Sequence, residues 1–313
     1  MNAATDKAPK RILVIKLGAL GDFVLALGPF AAIRNAHADA HITLLTTVPF
    51  AAFGEATGLF DEVWTDGRPR WWDLPGVLAL RRKLRGGKFD RVYDLQTSDR
   101  SGWYFRLFPA NARPEWSGIA AGCSHPHANP DRDRMHTVER QAEQLAMTGI
   151  PETPPADLSW ADGDLTQFDL PARFALLIPG GAPHRPLKRW PAESFIALGA
   201  EIARQGAVPV VVGGTAETDL ASHIAGACGG ISLAGRTKFA DLAALARKAA
   251  GAVGNDTGPM HIVAAAGCPS VVLFSGDSDP ALTAPRGASV TVLRRQNLAD
   301  LEVAEVADAL SLR

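Results

Sequence analysis

The clearest chemical pattern in the sequence lies near its C-terminal end, at residues 254–261, Gly-Asn-Asp-Thr-Gly-Pro-Met-His. Apolar residues 249–253 precede it and a small-residue segment, 262–267, follows it, so the pattern predicts a strand that turns into a helix. The start of a helix presents backbone N–H groups, which suits a phosphate or pyrophosphate. We expect Asp256 to orient the Thr257 hydroxyl or a ligand group. The alternative is that Asp256 only caps the helix.

A second glycine turn occupies residues 16–22, Lys-Leu-Gly-Ala-Leu-Gly-Asp. It stands between a predicted buried strand, 11–15, and a predicted helix, 23–35, an order that opens nucleotide-binding domains. The spacing is not the G-x-G-x-x-G of dinucleotide sites, which disfavours a dehydrogenase. We expect the Asp22 carboxylate to lie at the ligand side of the sheet. The alternative is a first-turn acid that stabilises its own helix.

Length and composition indicate an ordinary globular protein. The 313 residues, of which 47% are hydrophobic and 21% charged, fit two domains, and the net charge of −1 does not suggest nucleic acid as a partner. Three cysteines are too few for a disulfide framework and favour a reducing compartment. No signal peptide and no apolar run of about 18 residues is visible. We therefore expect a protein that is soluble or at most peripheral on a membrane.

Charge is distributed unevenly along the chain. Residues 68–113 hold eleven Lys and Arg against four Asp and Glu, whereas residues 114–168 hold three against nine. Aromatic residues accompany the basic ones: Trp71, Trp72, Trp103, Tyr104 and Phe105. Basic side chains beside aromatic ones suit an anionic glycan, a lipid headgroup or a membrane surface. The alternative is a plain solvated helix face.

Strand-like and helix-like segments alternate in the first half of the chain, which predicts a parallel sheet with right-handed crossovers. The predicted strands are residues 11–15, 41–46, 62–64 and 91–94. The predicted helices are residues 23–35, 49–57, 74–85, 104–108 and 137–147. Residues 151–171, rich in Pro, Asp and Gly, predict a linker between domains.

The alternation starts afresh after the linker. The predicted strands are residues 174–178, 208–212, 231–233, 251–253 and 270–274. The predicted helices are residues 192–205, 218–227, 239–249 and 302–311. We therefore expect an α/β protein of two Rossmann-like parallel-sheet domains, residues 1–165 and 166–313, that face a central cleft. The last helix, from about residue 300, is a candidate to pack back on the N-terminal domain.

Seven motifs, in order along the chain, resemble those of the ADP-heptose:lipopolysaccharide heptosyltransferases (glycosyltransferase family 9, GT-B fold). In the first half they are residues 16–22 and Tyr-Asp-Leu-Gln at 93–96. In the second half they are Ile-Pro-Gly-Gly at 178–181, Lys-Arg-Trp-Pro at 188–191, Val-Gly-Gly-Thr-Ala-Glu at 212–217, residues 254–261, and Ser-Asp-Pro at 278–280. The resemblance implies a GT-B fold with an N-terminal acceptor-binding domain and a C-terminal donor-binding domain.

The resemblance places the nucleotide-sugar donor on the second domain. Lys188 matches a lysine at the donor diphosphate, Glu217 an acid near the donor ribose, and Asp256 an acid near the donor sugar. The donor-binding residues that the resemblance implies are Gly180, Gly181, Lys188, Glu217, Asp256, Thr257, Gly258 and His261. From the residues alone, Lys188 could instead be a surface side chain and Glu217 a first-turn helix acid. Trp190 is expected to pack at a helix start rather than to contact a ligand.

Two residues are implied to be catalytic. Asp22 matches the proposed base of the family, and Lys188 would neutralise charge on the departing diphosphate. Weaker matches on the acceptor side are Lys16, Gly18, Gln96 and Arg100. Four histidines show no metal-ligand spacing and are expected in loops: His125, His127, His136 and His184. We expect neither a metal nor another cofactor.

The resemblance implies an inverting, metal-independent transfer of a sugar, heptose from ADP-heptose, to a lipopolysaccharide inner-core acceptor. The expected partners are a nucleotide-diphospho-sugar donor and an anionic glycolipid acceptor. The expected location is the cytoplasm, with the cytoplasmic face of the inner membrane as a candidate contact surface. Two other functions stay open. One is a GT-B enzyme that transfers, epimerises or hydrolyses another nucleotide sugar, and the other is a nucleotide- or glycan-binding module without catalysis.

Overall fold

A computed structural model describes residues 8–181 and 185–313 of the protein, so His184, predicted in a loop, lies outside the described residues. The chain divides into two compact units. The N-terminal unit comprises the chain up to Ala19 and Ala26–Pro155, and the C-terminal unit comprises Leu20–Leu25 and Ala156–Arg313. The boundary at Pro155 falls within the predicted linker. The short helix α1 (Leu20–Val24), predicted as part of the first domain, groups with the C-terminal unit.

The N-terminal unit is built on a six-stranded parallel sheet. Its strands are β1 (Arg11–Ile15), β2 (His41–Thr46), β3 (Glu62–Thr65), β4 (Arg91–Asp94), β5 (Glu115–Gly118) and β6 (His125–Pro126). Its α-helices are α2 (Leu27–Ala36), α3 (Val48–Ala56), α4 (Leu74–Gly86), α5 (Asp99–Tyr104) and α6 (Thr137–Ala146). The strand order is β3-β2-β1-β4-β5-β6.

The C-terminal unit repeats this plan. Its strands are β7 (Phe174–Ile178), β8 (Val208–Val211), β9 (Ile231–Ser232), β10 (Ala252–Asn255), β11 (Ser270–Phe274) and β12 (Val290–Arg294). Besides α1, its α-helices are α7 (Ala192–Arg204), α8 (Thr218–Cys228), α9 (Phe239–Lys248), α10 (Gly258–Ala265), α11 (Pro280–Thr283) and α12 (Val303–Ala309). The strand order is β12-β11-β10-β7-β8-β9. None of the helices among the described residues has the length and apolar character to cross a membrane.

Both sheets have the doubly wound order of Rossmann folds, which confirms the predicted α/β architecture. In each unit the first strand lies beside the fourth, β1 beside β4 and β7 beside β10. Connections leave these two strands toward opposite sides of the sheet, and the gap between them at their carboxyl ends is where such folds bind ligands. The turns after these four strands begin at residues 16, 95, 179 and 256. Four of the seven motifs lie at these turns, and the other three directly precede α7, at 188–191, or follow β8 and β11, at 212–217 and 278–280.

Continuous apolar runs form the central strands because both faces of a parallel sheet are covered by helices. All five residues of β7 and of β11 are buried. At the start of α7, Trp190 packs edge-on against Phe195, with ring centroids 5.0 Å apart, which is the contact of a hydrophobic staple. Trp190 is 2% exposed, as expected for a packing residue.

The structure differs from the predicted elements at several places. The predicted helix 23–35 is two helices, α1 and α2, and the predicted helix 104–108 is a 3-10 turn, Phe105–Leu107, that follows α5. The sequence patterns did not predict β5, β6 or β12. The last helix, α12, contributes Val306 and, just beyond it, Leu310 to the core of the C-terminal unit. Its apolar side chains are therefore buried in that unit, and the expected packing of this helix on the N-terminal domain stays a prediction.

Candidate active site

Two turns of the C-terminal unit bring Lys188 and Asp256 together. Lys188 Nζ donates to Asp256 Oδ2 at 2.6 Å, and Ser278 Oγ donates to the same oxygen at 2.7 Å. The side chains of Lys188 and Asp256 are only 12% and 9% exposed, so each charge is largely shielded from water and depends on the other. Lys188 is therefore not a free surface side chain. Ser278 lies in the Ser-Asp-Pro motif, but its hydrogen bond to Asp256 was not predicted from the sequence.

Asp256 does not cap the helix that follows it. The residue at the cap of α10 is Thr257, whose side chain makes no capping hydrogen bond. Pro259, in the second helical position, has no N–H, and Met260 N donates to Thr257 O at 3.1 Å. Pro259 and Met260 thus offer no N–H to an anion, and the N–H groups of Thr257 and Gly258 remain as donors among the described residues of this first turn. The anion site offered by backbone groups is narrower than the sequence pattern predicted.

Asn255 holds the loops that carry these groups. It is fully buried, its Nδ2 donates to Pro179 O at 2.8 Å and to Gly180 O at 3.2 Å, and its Oδ1 accepts from Trp190 N at 3.0 Å. One amide therefore ties the glycine turn after β7 and the segment after Lys188 to the end of β10. This role of Asn255 was not predicted from the sequence. The signal was an asparagine at the end of an apolar strand, because a buried amide requires partners.

Gly180 and Gly181 leave room for the side chains beside them. A Cβ on Gly180 would lie 3.3 Å from Glu217 Cγ and Cδ, and a Cβ on Gly181 would lie 3.2 Å from Arg189 Cγ. Arg189 Nη2 also donates to Gly181 O at 2.6 Å. Glu217 Oε2 accepts from Gly214 N at 2.8 Å, so Glu217 stabilises its own turn, as the alternative interpretation held. Its carboxylate nevertheless lies beside Gly180, and a role at the donor ribose stays a prediction.

Helix α1 lies against α10 within the C-terminal unit. A Cβ on Gly258 would lie 2.7 Å from Leu20 Cβ, and a Cβ on Gly21 would lie 2.7 Å from His261 Nε2. Neither glycine has a positive φ, so both are required by the close approach of the two helices. Asp22 follows Gly21 directly and is half-buried. The Gly-Asp of the first motif and the Gly-Pro-Met-His of the last are thus parts of one packed pair of helices.

The turn after β1 is fixed within the N-terminal unit. Gly18 has a φ of +119°, and a Cβ there would overlap the Phe50 ring, so the position requires glycine. Lys16 is 3% exposed, and its Nζ donates to Leu95 O at 3.1 Å. The lysine therefore supports the end of β4 with its ammonium group turned into the unit. Acceptor binding by Lys16 and Gly18 stays a prediction.

The turn after β4 supports the same region. Gln96 Oε1 accepts from Leu17 N at 2.8 Å, while Asp94 Oδ1 accepts from Gln96 N at 3.2 Å and from Thr97 N at 3.0 Å. Burial raises the pKa of Asp94 to about 6, against the lowering effect of these hydrogen bonds and of the Lys16 charge. Gln96 thus has a structural contact, and its predicted contact with the acceptor stays a prediction.

The remaining predicted residues lie away from these turns. Arg100 Nη1 donates to Pro69 O at 3.2 Å, which joins α5 to the basic segment before α4. Of the histidines expected in loops, His125 is in β6 and His136 caps α6 by accepting from Val138 N. The expectation for His125 was wrong because a short polar segment forms this strand, whereas His136 lies in the loop directly before α6, as expected. Among the residues that the structure describes, no three His, Cys, Asp or Glu side chains form a metal-binding group.

Comparison with known proteins decides the family. The family model of glycosyltransferase family 9 (heptosyltransferase) matches residues 77–309. The chain belongs to glycosyltransferase family 9. It is 25% identical over 277 residues to lipopolysaccharide heptosyltransferase 3 of Escherichia coli K12, which covers 81% of this chain and 79% of that protein. It is 30% identical over 238 residues to lipopolysaccharide heptosyltransferase 2 of Salmonella typhimurium LT2, which covers 69% and 68%.

A solved structure shares the fold of this family 9 glycosyltransferase. The E. coli ADP-heptose lps heptosyltransferase II superposes with a TM-score of 0.78 at 20% identity, over 96% of this chain and 97% of that one. The two sheets of Rossmann order and this likeness confirm the GT-B fold that the motifs implied. The family match confirms that the protein is a glycosyltransferase. The roles of individual site residues stay predictions.

Proposed function

We propose that the protein transfers heptose from ADP-heptose to a hydroxyl of a lipopolysaccharide inner-core acceptor, with inversion at the anomeric carbon and without a metal. The observation that supports the donor site is the shielded Lys188–Asp256 pair beside the Gly180 turn. One solved relative is described as an ADP-heptose lps heptosyltransferase, and curated relatives are lipopolysaccharide heptosyltransferases. Such an acceptor would place the protein in the cytoplasm, in contact with the inner membrane.

On the donor side, Lys188 would hold the diphosphate as it departs. Negative charge grows on the leaving oxygen while the bond to the sugar breaks, and a positioned ammonium stabilises that charge most in a shielded site. The Gly258 N–H adds a second donor at the positive end of a helix. Asp256 orients the lysine through the 2.6 Å contact. In this proposal these groups carry the leaving-group charge that a metal ion carries in other enzymes.

On the acceptor side, Asp22 would act as the general base. The carboxylate takes the proton of the acceptor hydroxyl while the hydroxyl oxygen bonds to the anomeric carbon from the face opposite the diphosphate. The carbon–oxygen bond to the diphosphate breaks in the same displacement, through a transition state with oxocarbenium character. Inversion follows from this geometry. The packing of α1 on α10 supports the assignment because it links Asp22 to the helix that begins at Gly258.

The decisive experiment measures transfer from ADP-heptose to a deacylated inner-core acceptor. Asp22→Asn should lower turnover by about 10²-fold or more, while thermal stabilisation by ADP is retained because the donor groups are intact. Asp39→Asn, at an exposed position, is the matched control and should leave turnover unchanged. Wild-type turnover in Asp22→Asn would eliminate the base assignment.

The same assay separates the remaining alternatives. Full turnover in the presence of EDTA is expected, and a loss that added Mg²⁺ restores would contradict metal-independent transfer. Selective thermal stabilisation by UDP, GDP or CMP sugars would show that one of these, and not ADP-heptose, is the donor. Release of free sugar without acceptor would favour hydrolysis, and binding of ADP with no sugar product under any condition would favour a binding module.

A further inference from the structure

The segment before α4 and the first half of α4 expose a group of large apolar side chains, here called the apolar patch. Trp71 and Trp72 are 77% and 58% exposed, and Leu74 and Leu78 are 66% and 52% exposed. The two indole rings contact each other, with centroids 5.3 Å apart and planes at 89°. Asp73, which separates the two tryptophans from the two leucines in the sequence, is the cap residue of α4, and its Oδ1 accepts from Gly76 N at 3.1 Å. The patch therefore spans the start of α4 and the residues directly before it.

Helix α4 already buries one apolar face in the core of its unit, so the apolar patch is a second apolar face of the same helix. Leu80 and Leu84 are 6% and 0% exposed and lie in the core, with Val77 packed against it. These positions repeat at three and four residues, whereas Leu74 and Leu78 form a separate stripe about 100° around the helix. Single exposed apolar residues are common on proteins, but a contiguous group marks an interaction surface.

Basic side chains continue the apolar patch. Arg81 and Arg82 follow Leu78 by three and four residues on the exposed side of α4, and the Arg70 guanidinium lies 5.2 Å from the centre of the Trp72 ring. Within residues 8–181 and 185–313, no acid forms an ion pair with these three arginines. Residues 68–88 contain seven Lys and Arg against one Asp, so their local charge is strongly positive.

We propose that the apolar patch and its arginines dock the protein on an anionic lipid bilayer. Tryptophan favours the boundary between headgroups and acyl chains, because the ring is apolar and the N–H can bond to water or a headgroup. Each basic residue near an anionic membrane adds attraction, and stable peripheral binding needs both signals together. The acceptor in the proposed function is linked to a lipid, and the docking proposal rests on that function only for the reason why the protein would bind a membrane.

The test uses the full-length protein without donor or acceptor, sedimented with vesicles. We expect binding to vesicles of phosphatidylglycerol and phosphatidylethanolamine, weakening as salt rises, and little binding to phosphatidylcholine. Arg81→Gln with Arg82→Gln should lower the partition coefficient about 30-fold, because each charge contributes about fivefold. The matched control removes two exposed charges elsewhere, with Arg134→Gln and Arg204→Gln, and should bind like the wild type.

The tryptophans are tested by their contact with lipid. Brominated acyl chains should quench the wild-type fluorescence, and Trp71→Ser with Trp72→Ser should lose both that quenching and most of the binding. Met147→Ser, at another exposed apolar position, should change neither. The substitutions at Trp71, Trp72, Arg81 and Arg82 are all at exposed positions, and unchanged thermal melting would show that the variants fold.

Three results would overturn the docking proposal. They are absence of wild-type binding to anionic vesicles at low salt, equal loss in patch and control variants, and self-association of the protein that the tryptophan substitutions abolish. The last would identify the patch as a contact between copies of the chain. Transfer to a deacylated, soluble acceptor separates this proposal from the proposed function. Patch variants should retain that transfer, and vesicle binding by a protein without transferase activity would refute only the proposed function.

Discussion

The contact between α1 and α10 predicts that Gly21→Ala lowers the free energy of unfolding, although alanine is normally favoured over glycine in a helix. The new Cβ would lie 2.7 Å from His261 Nε2 and 2.8 Å from Cδ2, and His261 is 5% exposed, so the ring has little room to move. Overpacking of a buried site costs about 1–3 kcal/mol, whereas alanine is favoured over glycine in a helix by about 1 kcal/mol. The expected net loss in the free energy of unfolding is therefore about 0–2 kcal/mol.

Gly226→Ala provides the matched control. Gly226 lies within α8, and a Cβ there would meet no atom within 4 Å, so this substitution should stabilise the protein by up to about 1 kcal/mol. Urea unfolding of both variants should show a difference of about 1–3 kcal/mol, the cost of the overlap alone. In a His261→Ala background the loss caused by Gly21→Ala should disappear. If Gly21→Ala stabilises the wild type as much as Gly226→Ala does, α1 does not lie on His261.

Three further predictions concern buried polar groups. Lys188→Met should lower the free energy of unfolding by up to about 3–5 kcal/mol, because it leaves the shielded Asp256 charge without its partner. The double variant with Asp256→Asn should lose less. Equal losses of the two variants in urea unfolding would contradict the pairing. Asn255→Ala should cost about 2–4 kcal/mol, because the Trp190 N–H and two carbonyls lose their partner, and should weaken thermal stabilisation by ADP; an unchanged melting temperature and ADP response would exclude its positioning role. The folded-state pKa of Asp94 is about 6 against an ordinary 3.8, so the folded state keeps a proton that the unfolded state loses, and this carboxyl lowers stability as pH rises from about 4 to 6. The difference in unfolding free energy between Asp94→Asn and the wild type should therefore grow by about 3 kcal/mol over that range and stay constant above it; a flat difference would refute the raised pKa.

Much of the fold was predictable because apolar, β-branched runs form the central strands. The bounds of β1, β2, β4, β7 and β11 agree with the prediction. Most residues of each of these strands are buried, because helices cover both faces of the sheet. The missed strands lack that signal. β12 alternates Val, Thr, Val, Leu and Arg and is only half-buried at the edge of its sheet. β5 has one large apolar residue, Trp116, between polar neighbours.

The position of the candidate site was also predictable, but its internal contacts were not. Glycine turns follow β1, β7 and β10, and the Gln96 turn follows β4; all four mark the ligand side of a doubly wound sheet. Lys188 and Asp256 are 68 residues apart, and nothing in their local patterns indicates that they pair. Lys16 shows the opposite problem. A lysine in a glycine turn suggests a ligand contact, yet its ammonium bonds to a backbone carbonyl inside the unit.

The grouping of Leu20–Leu25 with the C-terminal unit has a consequence for how the protein can be divided. The chain completes β1, contributes one short helix to the other unit's surface, and then returns to build the rest of the first sheet. A five-residue helix has too few internal hydrogen bonds to persist alone. A fragment that ends at Pro155 would therefore carry Asp22 on an unfolded segment, and a fragment that begins at Ala156 would leave Gly258 and His261 uncovered. Each half contains a complete sheet, but the residues proposed for catalysis assemble only in an uncut chain or when the two fragments are recombined.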